Sequence, residues 1–68
     1  MGLYTDSIRK LAPDYDPRHV EAYMRIGHAT LDDLSPALFR REVLIAVECI
    51  EMEGKETAES LAKSFGLR

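Results

Sequence analysis

The sequence predicts an all-α fold: a compact bundle of about four helices, over residues 6–12, 17–27, 36–53 and 56–65, with the third helix central. Three observations predict it. Apolar residues recur at helical spacing along most of the chain and nowhere alternate as a half-buried strand requires. The pairs Asp16-Pro17 and Ser35-Pro36 each join a side-chain acceptor for the free amides of a first turn to a proline suited to the first helical position. Gly54 and Gly66 stand singly where a helix has to stop.

Asp6 is the expected cap of the first helix, whose apolar contacts come from Ile8 and Leu11 together with Leu3 and Tyr4. Pro13 ends it by restricting Ala12, and PDYDP then forms a turn. In the second helix Val20, Tyr23, Met24 and Gly27 recur at i, i+3, i+4 and i+7, with Glu21 and Arg25 as a favourably oriented pair on the opposite side. The connection HATLDDLS offers Thr30 and Asp33 as a capping-box variant around a single turn. In the last helix Ala58, Leu61, Ala62 and Phe65 share a face, Gly66 closes it, and Leu67 folds back as the apolar partner of a Schellman-type cap.

The third helix carries most of the information. At about 100° per residue, Phe39, Val43, Ala46, Val47 and Ile50 form one apolar arc, while Leu38, Ile45, Cys49 and Met52 form a second. A helix on the outside of a small domain needs one such arc. Two arcs mean packing from two sides, by the rest of the chain alone or by the chain and another molecule. A chain of 68 residues makes one domain and hides only about 60% of the surface it exposes when unfolded, so its own core is marginal. The single cysteine cannot form an intrachain disulfide, and no Cys/His spacing suits a structural metal. Good helix packing or association with a second chain is what remains.

The net charge of −3 disfavours a nucleic-acid partner, and the acidity is concentrated in residues 31–54, with two basic groups against six acidic ones. No apolar run approaches the roughly 18 residues of a membrane span, and the first residues lack a secretory pattern. MGLYTD departs from a myristoylation signal at Asp6. A soluble, cytoplasmic protein is expected.

No catalytic, cofactor-binding or metal constellation is expected. His19 and His28 are nine residues apart, too far to share a metal on one helix. His19 is expected to pack beside the apolar side of its helix, and His28 to meet that helix's last carbonyls. Cys49 lacks a neighbouring cation to stabilise a thiolate and reads as a buried apolar residue. Asp32-Asp33 lacks the ligand alternation and glycine of a calcium loop, and no glycine-rich phosphate loop is present. An enzyme is therefore not expected, and no small-molecule substrate is inferred.

One surface stands apart from stability chemistry. Arg40 and Arg41 lie near the start of the third helix and Glu48, Glu51 and Glu53 near its end, the reverse of what the helix dipole favours. Arg40, Arg41, Leu44, Glu48 and Glu51 share a face between the two arcs; it reads either as a solvated face whose charges pair within the fold, as Glu51 does with Lys55 if the helix continues that far, or as the expected partner-binding residues of a homodimer or of a complex with another protein. In an antiparallel self-association each basic end meets the acidic end of the other copy. The function expected from this face is that of a non-enzymatic interaction or regulatory module.

Two resemblances extend the reading. TAESLAKSFGL resembles the first half of a helix-turn-helix, with Ala62 followed four positions later by Gly66. It implies a small DNA-binding regulator as the alternative, with Arg9, Lys10, Arg18 and Arg25 meeting phosphates, whereas the acidic composition favours an ordinary capped helix. The succession DPRHVEAYMR, TLDDLSPALFRREV and ESLAKSFGL, from Asp16 to Leu67, resembles the small all-helical accessory proteins of bacterial phages and mobile elements. That resemblance implies an accessory or regulatory role, such as holding a host or element protein in one state. It transfers no functional residues.

Overall fold

Asp16 Oδ1 accepts from the Arg18 amide at 2.9 Å and Ser35 Oγ from the Leu38 amide at 3.2 Å, so both cap-plus-proline pairs start helices. The computed structural model describes residues 4–67 and contains four helices: α1 (Thr5–Leu11), α2 (Pro17–Gly27), α3 (Pro36–Glu53) and α4 (Lys55–Ser64). Leu3, expected among the contacts of α1, lies outside the described residues.

Asp6 does not cap α1. The helix begins one residue earlier than expected, with Tyr4 at the cap position and no side-chain capping bond. Tertiary contacts set that start: the Tyr4 ring packs against Phe39 of α3, with centroids 6.3 Å apart, and its hydroxyl donates to Asp32. Asp6 instead lies in the first turn, where its charge suits the positive end of the helix. Ile8 is the one buried residue of α1 and carries its attachment to the core.

The Thr30–Asp33 capping box is also absent. Thr30 Oγ1 accepts from the Asp32 amide at 3.3 Å, and the Leu34 amide donates to the Leu31 carbonyl at 3.3 Å. A hydroxyl turn of this kind competes with a helical turn, and it allows Leu31 to enter the core.

Gly54 joins α3 to α4 alone. Its amide donates to Ile50 at 2.8 Å, ending one helix, and its carbonyl accepts from Ala58 at 3.2 Å, starting the next. Its φ of 94° with ψ of 159° combines a positive φ with an extended ψ, a region nearly restricted to glycine. At the other end of α4 the amides of Gly66 and Leu67 donate to Lys63 and Ala62, at 3.0 and 2.9 Å, completing the expected Schellman motif.

Ile8, Ala12, Val20, Met24, Leu31, Val43, Ala46, Ile50 and Ala58 form one buried cluster, flanked by Phe39 and Val47. The first arc of α3 therefore faces inward. Complete burial of Ile8, Val20, Met24 and Val43 contributes about 1.5–3 kcal/mol per side chain. α3 packs against each of the other helices, and so does α2. The centre is thus shared, and α2 is the more enclosed, burying His19, Val20, Glu21, Ala22 and Met24. Ala22, Ala58 and Ala62 are all buried, and such small side chains permit the close approach of α2 and α4.

Candidate functional site

α3 shows its second arc to solvent. Ile45 is 42% and Met52 85% exposed, Leu44 beside them is 53% exposed, and Leu38 and Cys49 are half-buried. Isolated apolar residues on a surface need no explanation, but these lie side by side on one helical face. Cys49 was expected to be buried; it stands at the margin because nothing among the described residues closes over this side.

All five expected partner-binding residues, Arg40, Arg41, Leu44, Glu48 and Glu51, are exposed, but they do not act as one group. Glu51 accepts from the Tyr15 hydroxyl at 2.5 Å and is tied to the segment before α2. An intrahelical pair between Glu51 and Lys55 cannot form, because Gly54 turns the chain between them. Arg40 borders a groove of about 470 Å³, with Tyr4, Lys10, Leu11, Leu34 and Phe39 along it. Arg41, Leu44 and Glu48 remain on the outer face beside Ile45 and Met52. Neither Arg41 nor Glu48 makes an ion pair among the described residues. The first turn of α3 contains no acid and its last turn no base, so these charges gain nothing from the helix dipole.

A second constellation was missed by sequence reasoning. Arg18 Nη2 lies 2.8 Å from both Asp16 Oδ2 and Glu59 Oε1, and His19 Nε2 lies 2.8 Å from Glu59 Oε1. Hydrogen bonding to Arg18 holds the Asp16 carboxyl below its ordinary range; bonds from His19 first and Arg18 second do the same for Glu59. The paired carboxylates in turn raise Arg18, Asp16 foremost. Ligand atoms of Asp16, His19 and Glu59 come within 4.8 Å of one another, the spacing of a cation site. The guanidinium already bonds both carboxylates and its charge opposes a cation, so the arrangement serves as a clamp between α2 and α4. Glu59 is 40 residues from His19, and local spacing carries no signal of their meeting.

The remaining polar groups are used within the fold. Arg25 Nε bonds Glu21 Oε2 at 2.9 Å, the pair read from the sequence, although Glu21 is buried rather than solvated. His28 Nε2 lies 3.4 Å from Glu42 Oε1, so it meets α3 instead of the last carbonyls of α2. Tyr23 donates to Glu53 at 2.9 Å, and with Tyr4–Asp32 and Tyr15–Glu51 three phenols engage carboxylates of the acidic segment. Every buried side-chain polar atom among the described residues has a partner. No helix among them is long and apolar enough to cross a membrane.

The chain matches no known protein family, no curated protein and no solved structure.

Proposed function

We propose that this protein is a non-enzymatic interaction module that acts through the outer face of α3 and associates with itself. The observation that carries the reading is the exposed apolar strip of Leu44, Ile45 and Met52, bordered by Arg41 and Glu48 that have no ion-pair partner among the described residues. Covering such a strip removes apolar area from water at roughly 25 cal/mol per Å². An accessory or regulatory role of the kind implied by the mobile-element resemblance fits a protein whose working part is a surface.

The alternative, a small DNA-binding regulator, has less support. Of its four cations Arg18 is held by Asp16 and Glu59 and Arg25 by Glu21, leaving Arg9 and Lys10 for phosphates.

The test is solution mass as a function of concentration for the wild type and for Leu44→Asp combined with Ile45→Asp. The wild type is expected to approach twice the mass of one chain, and the variant to keep the mass of one chain with the same helical circular dichroism. A wild type that holds the mass of one chain up to millimolar concentration would remove self-association.

A further inference from the structure

We infer that two copies of this chain pair antiparallel through α3, about a two-fold axis that runs between the paired helices at the level of Leu44 and Ile45 and sets Arg41 of each copy against Glu48 of the other. The inference rests on the self-association proposed above and adds to it an orientation, a register and a pair of contacts.

The pattern along α3 carries it. Arg41 and Glu48 are seven residues apart, two turns, so they lie nearly on one line down the outer face, roughly 10 Å from each other. Leu44 and Ile45 occupy the turn halfway between them, both exposed. A two-fold axis beside the outer face at that level sets each charged position against the opposite one of the second copy and brings the two apolar pairs together. Leu38 then approaches Met52 of the second copy at each end of the contact, burying the most exposed large apolar side chain among the described residues.

Charge selects this orientation. A parallel pair in register sets Arg41 beside Arg41 and Glu48 beside Glu48; the antiparallel pair makes two opposite-charge contacts by symmetry. Neither charge has a competing partner on its own helix. The residues three and four positions from Arg41 are Ala37, Leu38, Leu44 and Ile45, and those around Glu48 are Leu44, Ile45, Met52 and the like-charged Glu51. A self-complementary face argues for a second copy over an unrelated protein, because an unrelated partner sets no reason for basic and acidic ends to mirror each other about an apolar centre. One helix pair covers less than the roughly 1,200 Å² of a standard interface, so the dimer is expected to dissociate on dilution.

The experiment measures the dimer dissociation constant by sedimentation equilibrium for the wild type, Arg41→Glu, Glu48→Arg and the double reversal. Each single reversal creates two like-charge contacts and should weaken the dimer roughly tenfold or more, and the double reversal should return it to near the wild-type value. A second measurement uses Leu38→Cys and Met52→Cys chains, each with Cys49→Ser, under mild oxidation. The two variants should cross-link to each other when mixed and neither to itself. A dimer that ignores the single reversals, or in which Met52→Cys chains join to themselves, overturns the antiparallel register while leaving self-association standing. A wild type with the mass of one chain at every concentration overturns self-association itself.

Discussion

Arg18 of α2 and Glu59 of α4 meet through two bonds, Nη2 to Oε1 at 2.8 Å and Nη1 to Oε2 at 3.3 Å, across 41 residues of chain. Two parallel bonds fix direction as well as distance, so this pair sets how the start of α2 lies on α4. Both side chains remain about one-third exposed, which limits what the pair contributes. Glu59→Gln keeps the shape and removes the charge. It is expected to lower the urea midpoint with an unchanged m value, because the surface buried on folding stays the same. A changed m would show that α4 had left the bundle.

The same cluster sets the behaviour in acid. The Asp16 and Glu59 carboxyls are held below their ordinary values of 3.8 and 4.5 in the folded chain. A carboxyl with a depressed folded pKa contributes its stability in full above the unfolded value and loses it as pH falls through the folded one. Stability should therefore fall as pH drops below about 4.5, and the combined Asp16→Asn and Glu59→Gln variant should show a shallower fall. Urea titrations at several acidic pH values measure the two slopes. Equal slopes would assign acid unfolding to other carboxylates.

Two glycines separate backbone conformation from packing. An added Cβ meets nothing within 4 Å at either Gly54 or Gly27, so neither substitution creates a clash. Gly54 has a φ of 94°, and Gly54→Ala is expected to cost about 1–3 kcal/mol. Gly27 lies in the last turn of α2 with ordinary helical φ, and Gly27→Ala should stabilise by about 0.4–1 kcal/mol. Denaturant unfolding of the two variants should thus move in opposite directions. A neutral Gly54→Ala would mean that the joint between α3 and α4 relaxes without loss.

The boundaries of α2 and α3 were legible because their signals are local. Asp16-Pro17 and Ser35-Pro36 act within one turn of themselves, and Gly54 acts within its own φ and ψ. The two apolar arcs of α3 were legible for the same reason, since periodicity records which residues share a face. What lay hidden depends on contacts between distant segments. α1 starts at Thr5 because Tyr4 is held by Phe39 and Asp32, neither of which is near it in sequence. His28 turns to Glu42 and Glu59 to Arg18 and His19 for reasons of tertiary approach, and Glu51 is drawn from the expected partner face by Tyr15. A helical wheel lists the candidates for a surface; it cannot say which of them the rest of the chain has already engaged.

Tyr23 reports on the alkaline limit of the fold. Its hydroxyl donates to Glu53 Oε1 at 2.9 Å, and burial first, then that bond to a carboxylate, pushes its pKa up to about 12. The folded state thus favours the neutral phenol, whose ordinary value is 10.0. For an acid with a raised folded pKa, the contribution to stability is complete below the unfolded value and is lost as pH rises towards the folded one. Between pH 10 and about 12 the chain should therefore lose stability as ionisation of Tyr23 becomes coupled to unfolding. Tyr23→Phe removes the ionisable group and keeps the ring, so alkaline unfolding should move to higher pH while stability near neutrality changes little, Glu53 being exposed and free to take water. Phenolate absorbance and helical circular dichroism followed together through the titration test this. Coincident curves in the wild type and a delayed loss of helix in the variant are the expected result. An unchanged alkaline midpoint would mean that Tyr4 and Tyr15, whose hydroxyls are also bonded to carboxylates and raised, govern that limit instead.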